Sequence, residues 1–235
     1  MPNIVIVGPQ WGDEGKGKII DELAAGADFV VRFQGGANAG HTVVVEGQQY
    51  VFHIVPSGIL RPHTRCVVGN GVVVDPLTLL EEVEELERRG VEVEGRLFVA
   101  ENAHVTLPYH KLLDARGDER RGIGTTRRGI GPTYVDKFGR VGIRVVDLLD
   151  DEVLPELLAK NLEEKRAFLG DQTPKVDELL SQLRPAVERL RGWAADTASM
   201  LNEAIDEGKS VLFEGAQGTA LDVDFGSYPY VTSSN

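Results

Sequence analysis

The feature that most constrains the fold is the stretch of residues 4–18. A short apolar run, IVIV, ends at Gly8, and a glycine-rich loop follows before apolar residues recur at helical spacing from Ile19 onward. This order predicts a strand, a loop and a helix. Backbone N–H groups at the start of such a helix point outward together with the positive end of its dipole, so the loop predicts a site for an anion such as phosphate.

Two lysines in the loop favour the same interpretation. Lys16 and Lys18 lie at the expected start of the helix, where the dipole disfavours positive charge, and a bound phosphate would offset that repulsion. The spacing departs from the common phosphate-loop pattern, because six residues separate Gly8 from Gly15 and Gly17 stands where Ser or Thr usually binds magnesium.

Asp13 lies in the middle of this loop, and the sequence leaves its role open between two interpretations. A carboxylate beside a phosphate can bind a hard cation or accept a proton. Aspartate is also among the best N-capping residues, so the same side chain suits the start of the helix.

Composition and charge exclude several classes of protein. With 235 residues and 42% hydrophobic content the chain can bury a full core. No apolar run approaches the roughly 18 residues of a membrane span, and a net charge of -12 argues against binding nucleic acid or an anionic membrane. The single cysteine, Cys66, cannot form an internal disulfide, so we expect a reduced compartment, the cytoplasm.

A second predicted strand, residues 28–33, also ends in a glycine-rich stretch, residues 34–41. Strand, helix and strand at this spacing predict a parallel βαβ unit, in which both loops leave the carboxyl ends of strands and face one cleft. His41 is then expected near Asp13. A histidine in such a position is often only hydrogen-bonded within the fold, and this alternative to catalysis stays open.

Hydrophobic periodicity and turn residues predict the remaining elements. These are a hairpin on the edge of the sheet (42–46 and 50–55), strands 65–68 and 72–74 around a turn at 69–71, a helix from Pro76 to Gly90, a strand at 96–100, a helix at 109–118, a helical segment at 147–208 divided by Pro174 and Gly192, and a strand at 210–213. A third glycine-rich loop, residues 214–219, follows the last strand and should join the same cleft.

The segment 116–144 concentrates positive charge in an otherwise acidic chain. It carries Arg116, Arg120, Arg121, Arg127, Arg128, Lys137, Arg140 and Arg144 around several glycines. Guanidinium groups match phosphate geometry, which predicts a second anion-binding region. The alternative is a solvated loop whose arginines pair with surface carboxylates.

Four segments in order resemble the adenylosuccinate synthetases: QWGDEGKGK from Gln10, QGGANAGHT from Gln34, IGTTRRGIGP from Ile123 and FEGAQGT from Phe213, together with the tail 228–235. Four ordered segments are far more specific than one glycine-rich loop. One departure is Arg127, where glycine is common in the family.

The resemblance implies an α/β fold with a mostly parallel central sheet flanked by helices, a variant phosphate-loop nucleotide-binding fold. We expect residues 1–235 to form a single nucleotide-binding domain, incomplete at its C-terminus. A mainly helical insertion is expected over 108–208, with a basic glycine-rich loop at 120–133.

The resemblance also implies a ligase of AMP synthesis that joins IMP to L-aspartate at the expense of GTP, with magnesium. Asp13 would act as base on the purine N1 proton, so that the 6-oxygen attacks the γ-phosphate of GTP and forms 6-phosphoryl-IMP. His41 would act as acid beside the transferred phosphate, and Gln217 would stabilise the oxyanion. Addition of the aspartate amine then releases phosphate.

The binding residues implied by the resemblance fall into three groups. GTP phosphates would contact Gly12, Asp13, Glu14, Gly15, Lys16, Gly17, Lys18, Gly40, His41 and Thr42. IMP would contact Asp13, Lys16, Asn38, Ala39, Gly40, His41, Thr126, Arg128, Arg140, Gln217 and Thr232. One Mg²⁺ per subunit would be held by Asp13 and the carbonyl of Gly40, and Arg140 would reach the IMP site of the neighbouring subunit of a homodimer.

Chains of the family continue beyond the position of Asn235, with segments that recognise guanine and hold aspartate. A chain that ended there would therefore be expected to show weak or absent activity. Two other functions remain alternatives. One is a non-catalytic GTP-binding switch. The other is a nucleic-acid binder that uses residues 116–144, which the overall acidity and the scarcity of aromatic residues there disfavour.

Overall fold

The structure, a computed structural model, describes residues 3–45, 47–122 and 124–235, with only the backbone described at 120 and 121. The strands are β1 (Ile4–Gly8), β2 (Phe29–Arg32), β3 (Gly35–Gly36), β4 (His41–Val45), β5 (Gln48–Phe52), β6 (Arg65–Val68), β7 (Val72–Val74), β8 (Leu97–Ala100), β9 (His104–Val105), β10 (Ala194–Ala195) and β11 (Val211–Gly218). The helices are α1 (Lys16–Ala24), α2 (Pro76–Arg88), α3 (Pro108–Arg121), α4 (Ile130–Gly139), α5 (Val145–Leu148), α6 (Val153–Leu169), α7 (Val176–Leu190) and α8 (Thr197–Asp206).

The central sheet has six strands in the order β1-β11-β2-β6-β8-β10, and every neighbouring pair is parallel. The predicted α/β fold with a mostly parallel sheet is therefore confirmed. The predicted unit of β1, α1 and β2 is also present, but β11 lies between its two strands. Since β11 comes from the far end of the chain, local pattern could not have placed it there.

Helices pack on both faces of the sheet at β2. On β2, Phe29 and Val31 pack in a cluster with Ala204 of α8, while Val30 between them belongs to the larger core that also contains Ile20 of α1. Alternate side chains of a strand point to opposite faces, so β2 is buried on both sides, as the near-continuous apolar run predicted.

Local capping signals locate α2 as predicted. The Asp75 side chain accepts hydrogen bonds from the backbone N–H groups of Leu77 and Thr78, and Pro76 occupies the first helical position. Gly90 follows the helix with a φ of 82°, the left-handed conformation that glycine adopts readily after a helix end.

Two predictions about the strands need correction. The hairpin of β4 and β5 forms a separate two-stranded sheet instead of joining the edge of the central sheet, and Glu46 lies outside the described residues. The turn at 69–71 joins β6 of the central sheet to β7 of a three-stranded parallel sheet with β3 and β9. Gly71 approaches the carbonyl of Phe33 so closely that a Cβ would overlap it. At this point the segment between β2 and β3 and the segment between β6 and β7 both pass from the central sheet to the three-stranded sheet.

The structure also changes the extent of three expected segments. Strand β11 runs to Gly218, so most of the third glycine-rich stretch continues the strand. Helices α3 and α4 leave only residues 122–129 as loop, and Ile123 lies outside the described residues. Strand β1 lies at the sheet edge with Val5 and Val7 exposed, because only one of its faces is covered.

The division into one domain with a helical insertion over 108–208 stays a prediction. Among the described residues, no helix combines the length and apolar character needed to cross a membrane.

Candidate functional site

The first glycine-rich loop begins α1 without help from Asp13. The N-cap of α1 is Gly15, whose φ of 85° is left-handed, and no side chain caps the helix. The N-cap interpretation of Asp13 is therefore wrong. Its side chain is exposed and makes no hydrogen bond within the described part of the chain, so the carboxylate is free for a ligand.

Glu14, by contrast, is bound tightly into the loop. Its Oε1 accepts from the backbone N–H groups of Gln10, at 2.8 Å, and Gly12, at 3.1 Å, while Lys16 Nζ lies 2.9 Å from its Oε2. The hydrogen bond from Lys16 is the main cause that lowers the pKa of Glu14 to about 2, with these amides adding to it. The Glu14 carboxylate thus binds the N–H of Gly12 and the ammonium of Lys16, two of the groups that were predicted to hold phosphate.

The second glycine-rich loop meets the first at Gly17 of α1. A Cβ at Gly17 would lie 3.7 Å from His41 Cβ and 3.3 Å from the carbonyl oxygen of Thr42. Glycine therefore lets β4 lie directly against the first turn of α1. The sequence predicted that these two loops face one cleft, and the structure brings them into contact.

His41 is buried and hydrogen-bonded through one ring nitrogen. Its side chain is 5% exposed, and Nδ1 pairs with the Glu214 carboxylate, which is fully buried. Its Nε2 is buried and has no partner among the described residues. One nitrogen of the ring is thus held, and the other is available to a ligand.

Glu214 and Arg32 are the site residues that sequence reasoning missed. They are register partners on the neighbouring parallel strands β11 and β2, and Arg32 Nη1 lies 3.7 Å from Glu214 Oε1. Both side chains are fully buried. The signal was present, because each is the charged residue that ends an apolar run of three residues, but it gained meaning only when the two strands were paired.

The third glycine-rich stretch lies against the first loop. A Cβ at Gly218 would overlap the backbone of Gln10 and Gly12. The hydroxyl of Thr219 donates to the carbonyl of Gly8 at 3.0 Å, and Ala220 N–H donates to the carbonyl of Gln10 at 2.9 Å. The close approach requires glycine at 218 and fixes the position of the first loop.

Gln217 and the tail connect this region to the second loop. The Gln217 side chain donates to the carbonyl of Ser234 and accepts from its hydroxyl, at 2.9 Å and 2.8 Å. Asn38 Nδ2 lies 3.5 Å from Thr232 Oγ1. Three positions predicted to contact IMP, Asn38, Gln217 and Thr232, are thereby gathered in one area.

The other predicted positions of the first two loops occupy the same region with different exposure. Gly15 and Lys18 at the start of α1 are exposed, as are Gly40 and Thr42, whereas Lys16 is buried. The carbonyl of Ala39 lies 2.7 Å from His53 Nδ1, which connects the second loop to the chain just after β5.

The arginine-rich loop is held by acidic residues of α3. Asp114 accepts from the N–H of Gly129 and Asp118 from that of Gly124, both at 2.9 Å. Its C-terminal end reaches the second loop, since a Cβ at Gly36 would overlap Ile130. The alternative of arginines paired with carboxylates holds for two arginines among the described side chains of residues 116–144: Arg144 Nε lies 2.9 Å from Asp147 Oδ2, and Arg127 Nη2 lies 3.6 Å from Asp118 Oδ2.

Thr126, Arg128 and Arg140 are not joined to the other site residues by hydrogen bonds within the described part of the chain. Thr126 and Arg140 are exposed, and Arg128 is half-buried. Arg127 and Arg140 have φ values of 55° and 61°, a region that favours glycine. The glycine common in the family at position 127 would adopt this conformation without strain.

The described residues contain no cluster of three or more His, Cys, Asp or Glu side chains that could hold a metal ion. Oxygen donors are nevertheless present at the loops, in the free carboxylate of Asp13 and the exposed backbone of Gly40. Such a donor set suits a hard cation that is also bound by phosphate oxygens, and does not suit a cation caged by protein alone.

Comparison with known proteins identifies the family. The sequence model of the adenylosuccinate synthetases matches residues 5–235. The adenylosuccinate synthetases of Thermodesulfovibrio yellowstonii and Salinibacter ruber are 50% and 51% identical to this chain over its whole length. The chain spans about 56% and 57% of those relatives, so it matches somewhat more than half of each.

Solved structures agree with the sequence comparison. A fully ligated adenylosuccinate synthetase from Plasmodium falciparum superimposes with a TM-score of 0.94 at 38% identity, over all of this chain and 56% of that one. A succinoaminodeoxyadenylate synthetase from cyanophage S-2L, bound to dGMP and to dATP as energy donor, gives 0.67 at 29% identity, over all of this chain and 57% of that one. By the family match over residues 5–235 and the identity to these relatives, the chain belongs to the adenylosuccinate synthetase family.

Proposed function

We propose that the protein catalyses the GTP-dependent ligation of IMP and L-aspartate to adenylosuccinate. One observation carries this proposal: His41, the phosphate-type loop at the start of α1 and the Gln217 region converge in a chain of this family. The chain spans somewhat more than half the length of its relatives and matches their N-terminal part. The proposal therefore applies to a protein that carries the complete family pattern.

The chemistry requires a better nucleophile and a way to neutralise charge. Asp13 takes the N1 proton of IMP, which puts negative charge on the 6-oxygen and allows it to attack the γ-phosphate of GTP. The free carboxylate of Asp13 supports this role. Gln217 donates toward the developing oxyanion, and its amide does not compete for the proton.

His41 supplies the acid in the proposed reaction. Its unpartnered Nε2 is the group offered to the phosphate being transferred, where it acts as acid. Lys16 and the backbone N–H groups of Gly15, Gly17 and Lys18 bind the β- and γ-phosphates, with Gly12, Gly40 and Thr42 beside them. For Lys16 to do so, its ammonium must leave Glu14, to which it is paired in the structure.

Magnesium fits the oxygen donors of these loops. Asp13 and the carbonyl of Gly40 would hold one Mg²⁺ per subunit together with phosphate oxygens, and the ion would supply charge neutralisation at the phosphates. The absence of a three-residue cluster among the described residues is consistent with an ion that arrives with its nucleotide.

We also propose a homodimer in which each subunit completes the other's IMP site. Arg140 is exposed and follows α4 in a left-handed conformation, and its guanidinium makes no hydrogen bond to the described residues. It would bind the IMP phosphate of the neighbouring subunit, while Thr126 and Arg128 bind IMP within their own. Val135 and Phe138, exposed on α4 beside Arg140, would be covered by the partner.

The cytoplasm is the proposed location, because Cys66 is a free, buried thiol and the proposed substrates are nucleotides. The acidity of the chain supports the absence of nucleic-acid and membrane partners.

Product formation tests the function directly. The protein is incubated with IMP, aspartate, magnesium and either GTP or ATP, and adenylosuccinate is measured by mass spectrometry. We expect adenylosuccinate with GTP and not with ATP, and only when IMP, aspartate and GTP are all present. Tight GTP binding without any product would instead support the non-catalytic switch.

A further inference from the structure

We propose that Glu214 is the positioning residue of His41: it binds Nδ1 from inside the sheet and so leaves Nε2 as the nitrogen that faces the transferred phosphate. This inference rests on the proposed function. It assigns a role to a buried carboxylate that the chemistry above does not use.

The strand register explains why a carboxylate lies in this place. Glu214 pairs with Ile6 of β1 and with Arg32 of β2, so it lies in the middle of three parallel strands, at the level where the first loop begins. A charged group here loses all contact with water, which is costly unless partners replace it. Its presence therefore calls for partners that hold it as an anion.

Those partners fix the carboxylate in one orientation. Ser57 donates to Oε2 through both its backbone N–H, at 3.2 Å, and its hydroxyl, at 3.1 Å. Oε1 accepts from His41 Nδ1. With both oxygens bound, rotation of the carboxylate would break a hydrogen bond, and the imidazole is held in turn.

Arg32 acts on Glu214 by charge. Its guanidinium lies 3.7 Å away, and none of its nitrogens has a hydrogen-bond partner among the described residues. Burial alone would raise the pKa of Glu214, but the hydrogen bond and charge of His41 and the charge of Arg32 outweigh it and lower the pKa. The carboxylate stays an anion, which makes it the acceptor that requires a proton on His41 Nδ1.

A purely structural role is the competing explanation, in which Glu214 only balances the buried charge of Arg32. The two explanations differ in the double variant Arg32→Met with Glu214→Gln. Removing both charges should restore function if balance is the purpose, because a neutral pair avoids the cost of one buried charge. It should not restore function if Glu214 is needed by His41.

The experiment uses full-length protein labelled with ¹⁵N-histidine. The Nδ1 proton of His41, assigned by its loss in His41→Gln, should give a strongly downfield signal in the wild type. Glu214→Gln should remove or shift it. Glu214→Gln should also lower kcat for adenylosuccinate formation by up to about 100-fold, by analogy with the roughly 10- to 100-fold effect of losing the hydrogen-bond partner of a metal-bound histidine. The KM for GTP should change by less than about threefold.

Two further variants keep the test decisive. Glu214→Asp retains the charge and should recover part of kcat and of the signal. Asp136→Asn, in a buried histidine–carboxylate pair elsewhere, should leave the His41 signal unchanged.

The proposal is overturned if Glu214→Gln keeps the downfield signal and kcat within about threefold of the wild type, or if the double variant with Arg32→Met restores kcat. Wild-type protein that makes no adenylosuccinate would refute the proposed function, and the ¹⁵N-histidine spectrum would still decide whether Glu214 holds Nδ1.

Discussion

Two histidines in this protein are buried against carboxylates, and they differ in what the second ring nitrogen does. In the His110–Asp136 pair, His110 Nδ1 accepts from the N–H of Leu107 at 2.9 Å, and Nε2 lies 3.1 Å from Asp136 Oδ2. In the His41–Glu214 pair, Nδ1 is bound and Nε2 has no partner among the described residues. Both histidines are buried, but only His110 has hydrogen bonds at both ring nitrogens within the described residues.

The partners of each pair explain the difference. Because a backbone N–H donates to Nδ1 of His110, the proton of the neutral ring lies on Nε2 and donates to Asp136, so both nitrogens are used within the fold. Asp136 is also bound by Lys165 Nζ at 2.6 Å, which ties α4 to α6. A histidine that is fully satisfied serves stability, whereas one with a free nitrogen beside glycine-rich loops is available for chemistry.

The largest expected effect separates the two histidines by activity. His41→Gln should lower kcat for adenylosuccinate about 100-fold or more, the usual contribution of a general acid. His110→Gln should leave kcat per folded molecule within about threefold, because His110 contacts only structural groups. Steady-state kinetics corrected for the folded fraction measure both, and equal losses would refute the distinction.

The second effect concerns stability. Asp136→Asn should lower the free energy of unfolding by about 3 kcal/mol, because Lys165 and His110 lose their shared carboxylate inside the protein. Urea unfolding followed by circular dichroism measures this value. Glu156→Gln, an exposed change on α6, is the control and should alter it by less than about 0.5 kcal/mol.

The third effect is a pH dependence that His110 contributes. Burial lowers the pKa of His110, although Asp136 opposes the shift, so the unfolded chain binds its proton more readily than the folded one. This contribution is complete above about pH 6.5 and is lost as the pH falls from there toward the lowered pKa, at no more than about 1.4 kcal/mol per pH unit.

His110→Gln should therefore make the free energy of unfolding less steep between about pH 6.5 and 5 than in the wild type. Urea titrations at several pH values test it. Parallel curves for the two proteins would show that His110 titrates alike in the folded and unfolded states.

The smallest expected effect comes from Ser57. Ser57→Ala removes one of the two hydrogen bonds to Glu214 Oε2, while the backbone N–H continues to donate. The free energy of unfolding should fall by about 1 kcal/mol. A loss as large as that of Asp136→Asn would mean that the Ser57 hydroxyl, and not the amide, holds the carboxylate.

Much of this protein could be read locally. The strand, glycine-rich loop and helix at residues 4–24, the caps of α2 and the strands at 29–32 and 65–68 follow from periodicity and turn chemistry, which act over a few residues. The four ordered segments identified the family, and His41 and Gln217 lie in the region where their loops were expected to meet.

Tertiary structure decided the rest, because the deciding contacts join residues far apart in the chain. His41 and Glu214 are separated by 173 positions, and Glu214 lies beside Arg32 only because β11 enters between β1 and β2. The position of β11 also brings Gly218 into close contact with the first glycine-rich loop. The N-cap of α1 is Gly15 and not Asp13. Sequence alone determined the strands, helices and turns that follow from local pattern. Packing extended β11 through the third glycine-rich stretch, brought the buried charges of Arg32 and Glu214 together, and left Nε2 of His41 without a partner among the described residues, because these outcomes depend on contacts between distant parts of the chain.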